Sequence, residues 1–456
     1  MLFRVLYSAR FYYPVFTVLF LDYGLSLEQF AILNMVWALT IVLAEVPSGA
    51  LADILGRKRL IVYASVLMVI EMAVLVWVPV GDSPILFLAF LVNRICSGLS
   101  EAAASGADEA LAYDSLKSLG REKEWAQLLE RTTRMVSIGF FSTMIIGALV
   151  YDASLVNRLP AMLGLALRLE PEWVIKLPII LTFCTACLLL WTTLGLKEID
   201  TAKVAERAGS DVVQKNLSLS GVLEPFRQIL AAGRWTINHR FVLFIILAAL
   251  VLDSVARQFV VLASEYYRVI DIPTAWFGFI GAGMALIGVA NARLSRYLVS
   301  HHSPLFNFGL LSLVLMAGLL GLTLVIPWFG VLFAVAAFAM MGMVSFQSSY
   351  YINREVDSAH RATVLSFRGL ALNLGLGTAS LLYTALIAVL RGQSSGAVPD
   401  GNLQTVVFVQ SLKAFPLYFL LLVGCLAILA RWLVKDGRAF VRRPGTPSTS
   451  DDHLAR

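Results

Sequence analysis

Continuous apolar runs of membrane-spanning length dominate this chain. They fall at 9–25, 29–51, 60–80, 84–107, 133–151, 174–196, 241–263, 275–292, 305–326, 328–350, 365–390 and 404–433. About 20 apolar residues make a helix that crosses a bilayer with every backbone N–H and C=O satisfied internally. The runs do not alternate between apolar and polar residues, which excludes a strand barrel. Composition agrees, with 59% of the 456 residues hydrophobic and 14% charged. Soluble domains carry about 25% charged residues, so soluble globular and disordered classes are excluded. The expected fold class is an all-α membrane protein of twelve transmembrane helices.

Charge placement sets the expected topology. The net charge of +6 does not point to nucleic acid, because the basic residues cluster between apolar runs. With both termini cytoplasmic, only Arg158, Arg168, Lys176, Arg268 and Arg391 face outside, while Arg94, Arg257 and Lys413 lie within spans. That asymmetry predicts an N-in, C-in arrangement. Arg4 and Arg10 precede an apolar stretch with no small-residue cleavage site, so the N-terminus reads as an uncleaved first helix. Cys96, Cys184, Cys187 and Cys425 all lie in apolar runs and imply no disulfide framework. Cys184-x-x-Cys187 has neither a His nor a second Cys pair nearby, so no metal site or cofactor is expected. His239, His301, His302, His360 and His453 all fall in predicted cytoplasmic segments, which argues against a buried His proton relay.

The one long polar stretch divides the spans six from six. The expected domains are a six-helix bundle over 1–196, a linker over 197–240, a second bundle over 241–434 and a disordered tail over 435–456. Within the linker, Leu219, Leu223, Phe226 and Leu230 follow helical spacing beside Arg227 and Arg234, which suits a helix lying in the cytoplasmic interface; a loose tether is the alternative. A sequence echo suggests internal duplication. Gly49-Ala-Leu-Ala-Asp53-Ile-Leu-Gly56-Arg57-Lys58-Arg59 follows the second span, and Gly288-Val-Ala-Asn-Ala292-Arg293-Leu-Ser295-Arg296 follows the eighth.

The 49–59 stretch has a physical logic. Gly49 allows close helix approach, Gly56 a tight turn, and Asp53 a charge latch that can be made in one conformation and broken in another. Arg57, Lys58 and Arg59 would anchor it to anionic headgroups; a positive-inside turn with an incidental Asp is the plainer alternative. Gly-x-Leu-x-Asp-x-x-Gly-Arg-Lys-Arg resembles the signature loop of the major facilitator superfamily, with Ile54 where an Arg is usual. The resemblance implies two six-helix bundles rocking about a central cavity, working as a monomer. Arg94-Ile-Cys-Ser-Gly98 resembles the family's Arg-x-x-x-Gly pattern, whose Arg is associated with proton coupling in drug/proton antiporters. Ser105-Gly106-Ala-Asp108 through Asp114 and Glu45-Val-Pro47-Ser-Gly49 resemble patterns of bacterial drug-efflux-like members. The fifth span has Gly139 and Gly147-Ala148 but lacks the antiporter Gly-Pro step. Arg361-Ala-Thr-Val-Leu-Ser366 resembles the loop that opens the eleventh span, with Arg368 and Asn373 just inside it.

Charges within spans are a separate line of inference, since each costs about 2.5–3.5 kcal/mol at mid-membrane unless it faces a cavity or a partner. Glu45, Glu71, Arg94, Glu101 and Asp253 are the candidates for coupling, with Asp22 a further proton-carrying carboxylate. Asp253 and Arg257, spaced i,i+4, can pair on one helix face. Lys413 is placed to snorkel outward. Arg257, Asn34, Tyr13, Gln347 and Asn373 are candidates for lining the substrate cavity. Aromatic residues crowd the first span (Phe11, Tyr12, Tyr13, Phe16, Phe20) and the end of the tenth (Phe346, Tyr350, Tyr351). They would suit an amphiphilic or cationic organic solute, although aromatics are also ordinary at membrane interfaces. Gly281-Ala-Gly283 reads as helix packing rather than a nucleotide loop.

The expected function is secondary active transport, with proton-coupled export of a small drug-like or amphiphilic molecule first. Uptake or uniport is the main alternative, and a non-transporting sensor or assembly partner the second. A bacterial plasma membrane is the expected location. No enzyme motif or phosphate-binding loop appears.

Overall fold

The computed structural model describes residues 1–81, 83–162, 168–196, 219–394 and 399–434. All regular structure among them is helical. The first half comprises α1 (Leu2–Ser8), α2 (Phe16–Tyr23), α3 (Leu27–Leu55), α4 (Arg57–Trp77), α5 (Pro84–Ala104), α6 (Ala107–Ser118), α7 (Trp125–Tyr151), α8 (Ala153–Met162) and α9 (Pro171–Leu194). The second comprises α10 (Leu219–Asn238), α11 (Arg240–Val269), α12 (Thr274–His301), α13 (Pro304–Leu322), α14 (Val331–Glu355), α15 (Ser358–Ser394), α16 (Asp400–Leu412) and α17 (Ala414–Val434). Among the described residues, eleven helical stretches are long and apolar enough to cross a membrane.

The expected first span is the exception, because it is broken. α1 stops at Ser8, a short 3₁₀ turn covers Tyr13–Val15, and α2 resumes at Phe16. Pro14 explains the break, since it has no N–H to donate and crowds the preceding turn. The backbone groups freed there find partners on α9, where Thr182 Oγ1 accepts from Phe11 N–H at 3.0 Å and Thr185 Oγ1 donates to the Ala9 carbonyl at 3.3 Å. α7 crosses at Gly147, where a Cβ would lie 1.8 Å from the Phe11 carbonyl oxygen.

Two compact units make up the chain. One contains Met1–Gln228, Val261–Ala285 and Gly377–Val407; the other contains Ile229–Val260, Leu286–Leu376 and Phe408–Arg456. In the first unit, α4 packs against α5 and α9, and α3 against α5. Leu60, Ile61 and Ala64 bury against Ala103, Ala104 and Ala107. This unit also takes in the ends of α11 and α15 and the start of α12. Gly281 there supports the packing reading, since a Cβ would fall 2.1 Å from Met144 Cε of α7. In the second unit α13 packs on α14, and the buried Asn307 donates to Tyr351 Oη at 2.6 Å and to the Leu298 carbonyl at 3.1 Å.

Three expectations about local structure are corrected. The echo at 288–296 is not a loop, because α12 runs unbroken through it to His301. The reason is Ser295: Gly56 separates α3 from α4 with φ +93°, whereas buried Ser295 stays in the helix. Gly49 marks no close approach, as a Cβ there meets nothing within 4 Å. Arg10, counted with Arg4 ahead of the first span, is instead buried, at 3% exposed. Helix α10 covers the amphipathic part of the linker. Its Ala232 and Thr236 are buried, Leu230 is exposed, and Trp235 stacks between His239 and His360 at 4.9 and 5.9 Å. The tail from 435, the linker residues 197–218 and the Asp53 side chain lie outside the described residues.

Candidate functional site

The break in the first span places Arg10 inside the first unit. Its Nη1 donates to Glu71 Oε1 at 2.7 Å and to Tyr12 Oη at 3.0 Å, with Glu71 fully buried on α4. Asn93 of α5 donates to the Glu71 backbone carbonyl at 2.9 Å, and its Oδ1 accepts from Arg94 Nε at 3.1 Å. Arg94, 4% exposed, rests against Phe16 and Phe20 at 5.1 and 5.0 Å, and its Nη2 has no hydrogen-bond partner. Tyr13, on the break itself, is exposed beside Tyr12 and Phe140. Three charges thus share one buried neighbourhood, and two of them are positive.

Asn34 is buried but donates to the Phe30 carbonyl of its own helix at 2.8 Å. Glu45 is half-buried, and its Oε2 lacks a partner. Glu101 is exposed, where it accepts from Tyr7 Oη at 3.2 Å. Around the signature loop, Arg57 pairs with Asp114 of α6 and donates to the Ala110 carbonyl at 3.0 Å, while Lys58 is half-buried and Arg59 exposed. Arg4 binds Asp108 and Glu109 of the same helix at 3.2 and 2.5 Å. α6 is therefore tied by arginines to both α4 and α1.

In the second unit the structure joins three expected residues. Asp253 and Arg257 pair at 2.5 Å across one turn of α11, and Arg257 Nη1 donates to Asn373 Oδ1 of α15 at 3.0 Å. Arg368 donates to Ser348 Oγ at 2.8 Å and to the Ser345 carbonyl at 3.1 Å. Gln347 is fully buried, with neither amide atom partnered. Lys413 is exposed at the break between α16 and α17, as a snorkelling residue would be.

A further cluster in the first unit joins segments distant in sequence. Arg268 of α11 pairs with Asp22 of α2 at 2.5 Å and with Glu265 at 2.6 Å, and Tyr151 Oη donates to Asp22 Oδ2 at 2.6 Å. Beside it, Thr17 N–H donates to Ser264 Oγ at 2.9 Å, and Glu28 pairs with Arg391 at 2.7 Å. Asp152 caps α8 through the Ser154 and Leu155 N–H groups at 3.0 and 3.2 Å, and accepts from Thr274 at the start of α12 at 3.3 Å. Burial works against the Asp152 charge, yet hydrogen bonds from Ser154, Leu155 and the Ala275 N–H outweigh it and hold this carboxyl below its ordinary range. Sequence reading missed Glu265 altogether and placed Arg268 in a solvated loop. The i,i+3 spacing of the two was the available signal.

A broken helix with its backbone re-satisfied, buried ion pairs in both units and a polar latch between elements far apart in sequence mark a multi-pass membrane transporter. The Major Facilitator Superfamily model matches residues 2–380, and the chain belongs to that family. It is therefore a transporter rather than an enzyme. Solved structures with a similar fold include the nucleoside transporter NupG, at TM-score 0.64 and 15% identity over 94% of this chain and 96% of that one. A bacterial homolog to the human lysosomal transporter Spinster matches at TM-score 0.67 and 14% identity over 98% of both chains. The D-xylose-proton symporter matches at 0.61 and 14% over 97% of this chain and 96% of that one. These identities show the fold alone. No curated protein sequence matches.

Proposed function

We propose that the chain crosses a bacterial plasma membrane twelve times, both termini cytoplasmic, and works as a monomer in proton-coupled export of a small organic molecule by alternating access. The observation that carries the reading is the Asp22–Arg268–Glu265 latch. Two carboxylates share one guanidinium, so the closed latch holds one negative charge in excess unless a proton joins it. Separating Asp22 from Arg268 would leave Arg268 and Glu265 matched one to one and free that proton. Opening the latch and releasing the proton then become one event. Glu71 and Asp253 are each already matched by an arginine, so they are weaker proton carriers than Glu265. Glu45, which forms no ion pair among the described residues, ranks next.

Flux in proteoliposomes tests this. With an imposed pH gradient, the wild type drives solute against its concentration gradient, and Glu265→Gln retains exchange at equal concentrations but loses the driven movement. Driven movement unchanged in Glu265→Gln would remove this carboxylate from coupling. Solute movement in the same direction as the protons would replace export with uptake.

A further inference from the structure

We propose that the transported solute carries an anionic group, a carboxylate or its equivalent, and that Arg94 receives it. The inference rests on the transport reading above and deepens it by assigning the solute's charge.

The buried charges of the first unit do not balance. Arg10 and Glu71 neutralise each other at 2.7 Å, both essentially without exposure. Arg94 has no carboxylate partner among the described residues, although it too is buried. Glu101, on the same helix, is exposed and bonded to Tyr7. A buried guanidinium without a counter-charge is costly, and folding alone gives no reason to keep it. Yet this one is held in place: Asn93 is pinned by its bond to the Glu71 carbonyl and presents Oδ1 to Arg94 Nε. Phe16 and Phe20 lie against the guanidinium, and Nη2, at one end of its fork, is enclosed by protein with no hydrogen-bond partner, so an anion would reach it by shifting a flanking ring. That fork matches a carboxylate in two parallel hydrogen bonds. Half-buried Phe16, beside the break in the first span and 5.1 Å from the guanidinium, gives the solute an approach, with Phe20 behind it. Their rings suit a planar apolar body attached to the anion. A cationic solute would instead meet a neighbourhood already positive by one charge.

Three shape-matched probes separate the possibilities: 2-naphthoate, 2-naphthamide and 2-naphthylmethylamine, added to the purified full chain during thermal unfolding. A ligand that binds only the folded chain raises its melting temperature with concentration. The carboxylate is expected to stabilise the wild type and the amide to bind about 10- to 100-fold more weakly, the difference a charged hydrogen-bonded contact makes. The amine is expected to have no effect. Arg94→Gln should abolish the response to naphthoate. Arg94→Lys, which keeps the charge but not the fork, should retain the preference with at least about tenfold weaker binding. Equal stabilisation by amine or amide, no response to the carboxylate, or a naphthoate response unchanged in Arg94→Gln overturns the proposal. If Arg94→Gln does not fold, unchanged naphthoate affinity in Arg94→Lys overturns it instead. Flux of the same probes is scored separately. Flux of the amine without carboxylate preference refutes the anion assignment alone, whereas carboxylate binding without any flux refutes transport of the bound anion and leaves the anchor standing.

Discussion

At the scale of single residues, the two buried arginines of the first unit should respond to substitution in opposite ways. Arg10→Ala strands Glu71 as an unpaired buried charge, and a loss of about 3–5 kcal/mol is expected. Arg10→Met combined with Glu71→Met should recover most of it, read by thermal or denaturant unfolding of the purified chain. Arg94→Gln removes a charge that already lacks a counter-ion, so the ligand-free protein should hold or raise its melting temperature. A fall as large as that of Arg10→Ala would mean that Arg94 has a structural counter-charge. Much of this was legible in the sequence: Glu71, Arg94, Asp253 and Arg257 stand out because each is a charge in an apolar run. Arg10 and Glu265 did not stand out, because they lie near predicted span ends, where a charge is expected to reach water. Only packing shows that they do not.

Elements owe their boundaries to a few backbone-special residues. Gly56 permits α3 and α4 to abut through one residue, and Pro14 breaks the first span where α9 supplies two threonines. Gly147→Val should be among the more damaging apolar substitutions, because its side chain would overlap the Phe11 backbone, which Thr182 fixes. A loss of about 1–3 kcal/mol or a failure to accumulate in the membrane is expected, against little change for Gly49→Ala. Asp152 binds the starts of α8 and α12, so Asp152→Ala should cost about 0.5–2 kcal/mol near neutral pH. Because folding lowers this carboxyl's pKa, its contribution is full above its ordinary value of 3.8 and fades as pH falls through the lowered one. The gap between wild type and variant should therefore be constant near neutrality and close only in acid. A gap that instead widened in acid would contradict the assignment.

For the whole molecule, the proposed alternating access would require the latch contacts of the first unit to break. Thr17 and Ser264 lie within hydrogen-bond distance, so a Thr17→Cys/Ser264→Cys pair, in a background lacking Cys96, Cys184, Cys187 and Cys425, should cross-link. Oxidation is expected to stop solute flux in proteoliposomes and reductant to restore it. Full flux in the verified cross-linked form would show that this contact persists throughout the cycle. The halves also differ more than their echo suggests. One signature loop ends a helix at Gly56, while its counterpart is absorbed into α12, and among the described residues the Arg57–Asp114 tie has no equivalent at Ser295.

The sequence by itself determined the helical membrane class and the family, because hydrophobic run length and a compact loop motif are local properties. It also determined the Asp253–Arg257 pair, since i,i+4 spacing within one helix sets that distance. Tertiary structure alone decided that Arg10 meets Glu71, that Asn373 meets Arg257 and that Asp22 and Glu265 share Arg268. Each of these depends on how a helix is rotated and tilted against neighbours distant in sequence. Apolar residues surround these spans on nearly every side, so periodicity gives little sign of which face turns inward. Packing chose the face, and with it which charges are matched and which one is left for a ligand.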